Sequence, residues 1–94
     1  MQFEWDANKA AGNYRKHKVS FDEALTVFRD PLAAIFDDEI HSVDEEREII
    51  IGHSNRNRIL LVCFTERKKE VIRLFSARRA TKKEKVDYEE NANF

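Results

Sequence analysis

RILLVCFTERKKEVIRLFSARRAT, residues 58–81, begins with six apolar residues in a row, 59–64, set between charges. The run is rich in branched and aromatic side chains, and at that length it reads as a strand buried on both faces, hence the middle of a sheet. Arg67, Lys68, Lys69 and Glu70 follow as a polar hairpin loop, and 71–77 resumes as a second strand with polar residues breaking in. Where the second strand stops, Arg78, Arg79, Lys82 and Lys83 come at once, so positive charge collects on a rigid element able to position an anion.

Upstream, 46–53 reads as a strand turned by Ser54, Asn55, Arg56 and Asn57 into the central one, which makes an antiparallel meander of three. Residues 32–36 offer a further strand, and 37–44 a polar loop. Nearer the start, 3–5 reads as a short edge strand ended by the N-cap Asp6. Ala7, Ala10, Ala11 and Tyr14 then mark the apolar face of a helix to about Lys16. Ser20 and Glu23 spell a capping box, with Val19 stapled to Ala24. They open a second helix whose stripe is Phe21, Ala24, Leu25 and Phe28, stopped by Asp30 and Pro31. Thr81 and Glu84 spell another capping box for a C-terminal helix whose apolar face is poor beyond Val86 and Tyr88, so Val86, Tyr88 and Phe94 are expected to be buried only in a complex. The whole is an α+β fold: an antiparallel sheet of four to five strands, two N-terminal helices and one C-terminal helix.

At 94 residues, 41% hydrophobic and 37% charged, the chain suits one domain spanning 1–94 and one core, not a disordered or membrane composition. No apolar run reaches the ~20 residues of a spanning helix, and MQFEWD has no basic leader, so the cytoplasm is the expected compartment. Cys63, the one cysteine, lies inside the central strand and reads as a small hydrophobe. The formal net charge of −1 hides an asymmetry: residues 20–48 hold ten acids against two bases, and 53–83 hold ten bases against two acids. The basic side suits a polyanion, and the acidic side suits a basic protein or limits non-specific adhesion. Asp37, Asp38, Glu39, His41 and Asp44 lack an EF-hand's glycine and spacing and read as a solvated loop rather than a metal site. Tyr14, Phe21 and Phe28 have the helical spacing of core residues, not of base-stacking platforms.

Several of these residues fall into one pattern. Phe3-Glu4-Trp5-Asp6, Lys9, Asn13, Lys16-His17, Val19-Ser20-Phe21 and Ala24 resemble the BrnT family, as do Thr65-Glu66-Arg67, Ile72-Arg73, the SARRAT run at 76–81, Glu84 and Tyr88. BrnT proteins are toxins of bacterial type II toxin–antitoxin modules. The resemblance spans nearly the whole chain, with Lys18 standing where the family usually has glycine. It implies a fold similar to RelE-type ribonucleases, RNA cleavage that arrests translation, and neutralisation by a BrnA-like antitoxin that covers the basic surface. It also implies operator DNA contacts made only through that antitoxin, a heterotetramer that can include a toxin homodimer, and no membrane.

Cleavage of RNA without metal needs a group to accept the 2′-hydroxyl proton, cations for the phosphorane charge and a donor for the leaving 5′-oxygen. Arginine suits the second role because its planar fork pairs with two phosphate oxygens. Arg67, Arg73, Arg78 and Arg79 all belong to the hairpin or its exits, and Arg73, among apolar neighbours, calls for a partner or a site. His17 and Glu66 are the candidates for proton transfer, with His53 behind them. Lys16, Arg58, Lys82 and Lys83 are candidates for binding RNA phosphate. No cofactor is called for. A second reading, a non-catalytic module that binds nucleic acid or protein through the basic hairpin, uses the same residues.

Overall fold

A computed structural model describes residues 1–40 and 45–92. The chain runs β1 (Gln2–Glu4), α1 (Ala7–His17), α2 (Phe21–Ala24), a 3-10 helix (Leu25–Arg29), β2 (Ala34–Asp37), β3 (Glu48–His53), β4 (Ile59–Lys68), β5 (Val71–Arg79) and α3 (Lys82–Ala92). One five-stranded sheet has the order β1-β5-β4-β3-β2, so β4, which contains the apolar run, is its central strand. The fold is α+β, as the hydrophobic pattern predicts.

β4 is buried on both faces because each face has its own cover. Leu60, Val62 and Phe64 join Val19, Phe21, Ala24 and Val27 in the larger core, under α2 and the 3-10 helix. Ile59 and Leu61 point the other way and join Ile51, Ala80 and Tyr88, the last carried by α3. Gly52 on β3 lets the chain after the 3-10 helix approach closely: a Cβ there would lie 2.9 Å from Asp30 Oδ2 and 3.0 Å from Ala33 Cβ.

The local signals hold with informative departures. Asp6 caps α1, its carboxylate accepting from the amides of Asn8 and Lys9 at 2.8 and 3.0 Å. Thr81 and Glu84 close a reciprocal capping box at α3. Ser20 caps α2 by accepting from the Glu23 amide at 3.1 Å, but the Glu23 carboxylate does not return to Ser20. It is buried instead against Arg58 Nε at 2.9 Å and Ser54 Oγ at 2.7 Å, which ties α2 to the β3–β4 turn. The second helix tightens into the 3-10 form after one turn, and the strand expected at 32–36 lies at Ala34–Asp37. The expected four-residue hairpin loop is shorter, because β4 runs to Lys68 and the turn is Lys69 and Glu70, the latter at φ 68°. Lys18 takes the left-handed conformation, φ 59° and ψ 33°, and its amide donates to Tyr14 O at 2.9 Å to end α1; a lysine bears here the geometry that glycine adopts most easily.

Two expectations are corrected. The sheet is not wholly antiparallel, since β1 pairs parallel with residues 71–73 of β5. Of the expected α1 face, Ala7, Ala10, Ala11 and Tyr14, only Ala10 packs on the core: Ala7 and Ala11 are exposed and Tyr14 is 52% exposed, while Asn13 is buried. The reason is the helix's neighbour. Beyond Arg73 the outer edge of β5 has no strand, and α1 lies along it. Asn13 Oδ1 accepts from the Ala77 amide at 3.0 Å, and its Nδ2 donates to Ala77 O at 2.9 Å and to Val19 O at 3.0 Å. A sheet edge needs a polar partner, so a carboxamide faces it and the tyrosine turns to solvent. Tyr88 departs as well: it is 4% exposed in the single chain, whereas Val86 is exposed and Phe94 lies outside the described residues.

Replacing Asn13 with alanine removes the partners of the Ala77 N–H, the Ala77 C=O and the Val19 C=O. At ~1–3 kcal/mol per unpaired buried group, part of which water can recover, the expected loss of stability is about 2–4 kcal/mol. Urea denaturation should show it as a lower midpoint at unchanged slope.

Candidate functional site

On the side of the sheet away from α2, a cleft of about 570 Å³ opens between α1 and the side chains of Asp38, Ile40 and Arg47. Its floor is sheet: Ile49 from β3, Leu61 and Cys63 from β4, Phe75 and Ser76 from β5. Lys9, Lys16 and His17 line one wall from α1, and Arg78 and Arg47 stand at the rim. Lys9, Asn13 and Lys16 recur at the i, i+4, i+7 spacing of one helical face, so the residue that bonds α1 to β5 also sets its cations over the sheet. The register of β4 and β5 slips between Cys63 and Phe64, and the extra residue, Phe75, turns its ring to the cleft side. The Arg47 guanidinium lies 3.9 Å from that ring's centroid and the Lys9 ammonium 5.2 Å. The result is an apolar, partly aromatic floor with cations around it and one buried carboxylate, Asp38, in its lining.

Arg78 is held in place. Its two terminal nitrogens donate to the two Glu84 oxygens at 2.8 and 2.9 Å, a bidentate fork. The Arg78 guanidinium, helped by the Thr81 amide and against the effect of burial, brings the Glu84 carboxyl down to about 2, and Glu84 in turn raises the Arg78 pKa. The pair is partly open, with side chains 43% and 29% exposed. Cys63, on the floor, is pushed up to about 12 by burial and by its contact with Asp38 at 3.4 Å, so its thiol is not a nucleophile at neutral pH.

The sequence candidates separate in space. His17, Lys16 and Arg78 meet in the cleft. Arg79 is the next residue along β5, so it faces the opposite side of the sheet, and it is exposed. Glu66 pairs with Ile72 and Arg78 with Leu61, which sets Glu66 and Arg67 six residues of strand, roughly 20 Å at ~3.3 Å per residue, from Arg78. Arg73 finds its partner in Glu4 across the β1–β5 pair, at 2.7 Å. Arg58 is bound to the Glu23 carboxylate and donates to Lys18 O at 3.1 Å; its hydrogen bond, against the effect of burial, lowers the Glu23 pKa. Lys82 and Lys83 are exposed in the first turn of α3. His53 belongs to another cluster: its amide donates to Asp30 Oδ2 at 2.7 Å and its Nδ1 lies 3.1 Å from the Tyr88 hydroxyl, which also donates to Asp30. Burial and then Asp30 raise the Tyr88 pKa, so the group anchors α3 as a neutral phenol.

Lys9, Arg47, Phe75 and Ser76 are cleft residues that the sequence reading did not select. The helical spacing of Lys9 with Lys16 was a usable signal; the placement of Arg47 and the bulge at Phe75 have none. Of the five polar loop residues read as solvated, His41 and Asp44 lie outside the described residues. Among the described residues no three His, Cys, Asp or Glu gather as metal ligands, and no helix is long and apolar enough to cross a membrane.

Because the folded Glu84 pKa lies below the ordinary 4.5, the pair adds stability that is complete above about pH 4.5 and is lost as pH falls toward 2. Acid titration followed by amide exchange in α3 should show this loss in the parent chain, and Glu84→Gln should flatten it.

Comparisons with known proteins place this geometry. Residues 5–84 match the family described as "Ribonuclease toxin, BrnT, of type II toxin-antitoxin system". Among solved structures, the crystal structure of the Brucella abortus ribonuclease toxin BrnT is similar at a TM-score of 0.69 and 26% identity, covering 87% of this chain and 99% of that one. No curated protein matches the chain.

Proposed function

The chain belongs to the BrnT family of ribonuclease toxins of type II toxin–antitoxin systems, and from that premise we propose that it cuts RNA in the cleft beneath α1, without a metal ion, by attack of the RNA's own 2′-hydroxyl. The observation that carries this reading is the convergence of Lys9, Lys16, His17 and Arg78 on an apolar floor.

Each group has a task that fits its chemistry. The floor at Phe75 and Leu61 receives a base, while Lys9 and Lys16 hold the flanking phosphates as point charges. Arg78 offers its fork to the phosphorane, whose oxygens gain charge as the 2′-oxygen adds. His17 carries an imidazole on the cleft wall, a group that can move a proton, either from the 2′-hydroxyl or to the 5′-oxygen. When the P–O5′ bond breaks, one product ends in a 2′,3′-cyclic phosphate and the other in a 5′-hydroxyl, and no proton is gained or lost overall. Glu66 and Arg67, some 20 Å away by strand rise, lie outside the reacting centre. Arg73 and Arg58 act through their ion pairs to hold the sheet edge and the β3–β4 turn.

In the cell this activity stops translation in the cytoplasm until a BrnA-like antitoxin neutralises it, and the antitoxin, not this chain, reads operator DNA.

Purified protein is expected to cut RNA in excess EDTA and to leave an oligonucleotide with a 2′-deoxy group at the mapped position intact. Arg78→Ala and His17→Ala should each lower kcat/KM by about 10²-fold. Arg79→Ala should lower it by less than about 5-fold, and Lys16→Ala should mainly weaken binding and reduce its salt dependence. Loss of cutting with EDTA, cutting of the deoxy substrate, or equal small effects at Arg78 and Arg79 would remove the support for this mechanism. Binding of RNA with no cutting would instead support the non-catalytic module.

A further inference from the structure

Large apolar side chains are exposed at seven described positions, and four of them, Leu32, Ile35, Phe36 and Ile40, fall within nine residues around β2. Among the described residues β2 ends the sheet, so the outward peptide groups of residues 34–37 have no described strand beside them. Exposed edges are usually blunted by lysine, proline or a bulge. The four residues of β2, Ala-Ile-Phe-Asp, contain none of these, and their register with β3 is regular. Ile35 and Phe36 point to opposite faces, at 54% and 46% exposure, so a strand laid along this edge would cover apolar surface on both sides.

Charge identifies the occupant. Asp37 and Glu39 are exposed at the end of the edge, and Glu48 pairs directly with Asp37. Three carboxylates repel a polyanion and attract a basic chain. Beyond Asp37 the segment continues to Asp38 and Ile40, which line the cleft. A chain seated on β2 is therefore led toward the mouth of the cleft.

We propose that the outer edge of β2 docks the protein antitoxin by strand addition, through an extended segment that alternates apolar and basic residues. This rests on the family reading, which supplies an antitoxin, and it moves the primary contact from the basic surface to the acidic, apolar edge.

The test uses the full chain and a purified BrnA-like antitoxin that binds it. Ile35→Lys and Phe36→Lys change exposed side chains outside the cleft and give the edge the charge that natural edges use against pairing. Both variants should keep the parent's circular dichroism and RNA cleavage and lose at least 10-fold in antitoxin affinity by calorimetry. Asp37→Lys, which leaves the apolar surface intact, should lower affinity as well, more at low salt than at high. Val86→Lys, exposed on α3, should change nothing. Parent-like affinity in Ile35→Lys and Phe36→Lys would overturn the proposal, and so would a free homodimer that these variants dissociate without altering antitoxin affinity, since the occupant would then be a second copy. Loss of RNA binding in Asp37→Lys would point to nucleic acid at this edge and would also overturn it. Failure of the parent chain to cut RNA would count against the catalytic reading alone, because antitoxin affinity is measured separately.

Discussion

An edge strand has to find partners for its outward peptide groups, and β5 finds them in two ways: through β1 over residues 71–73, and through the carboxamide of Asn13 at Ala77. The second solution shapes the rest of the molecule. A strand at that position would have continued the sheet and left its cleft side flat. A helix anchored by one side chain stands up from the edge, and the standing helix is the wall that makes a cleft. The same amide holds Val19 O, so the turn after α1 is fixed along with the helix. From there Val19 and Phe21 enter the larger core, and the groups that shape the site are continuous with those that stabilise the fold.

Two arginines make bidentate or near-bidentate pairs with glutamate, and their surroundings give them different capacities. Glu23 is buried, its side chain 3% exposed against 21% for Arg58, and Ser54 supplies a further hydrogen bond. Separating that pair would leave a charge in a poorly solvated place, which costs more than any surface contact returns. Arg78 and Glu84 are open to water, so separating them leaves both charges hydrated and costs far less. α3 does not depend on that pair alone, because Tyr88 and Asp30 also hold its position.

Much of this fold was legible in local chemistry. The central strand, its hairpin, the caps at Asp6, Ser20 and Thr81 and the stop at Asp30 and Pro31 are properties of neighbouring residues, and the structure keeps them. What the sequence did not show depends on tertiary partners. Asn13 looks like a surface residue of an alanine-rich helix until a sheet edge is placed beside it, and Glu23 looks like the second half of a capping box until Arg58 arrives from 35 residues away. The parallel pairing of β1 likewise leaves no local mark. The candidate site was legible in its residue types but not in its extent: arginines on one hairpin looked like one cluster, although strand rise alone separates Arg67 from Arg78. Arg47, read as one of two bases in an acidic segment, lines the cleft and reaches the Phe75 ring, a tertiary contact with no local mark.

The strand order also explains how one small domain keeps opposite charges on adjoining surfaces. The acidic and basic halves of the sequence meet at the sheet, where β2 and β3 bring the acids to one edge and α1 and β5 bring the bases to the other. Asp38 and Ile40 lie at the boundary, lining the cleft while continuing the acidic edge. A polyanion is therefore drawn toward α1 and repelled at β2, and a basic chain is drawn the other way. The two surfaces differ in the sign of charge they accept but share a rim, so an occupant of the edge long enough to pass Ile40 narrows the entrance used by the other. A shared rim lets an occupant of the edge close the cleft sterically, with Lys9, Lys16 and Arg78 left untouched.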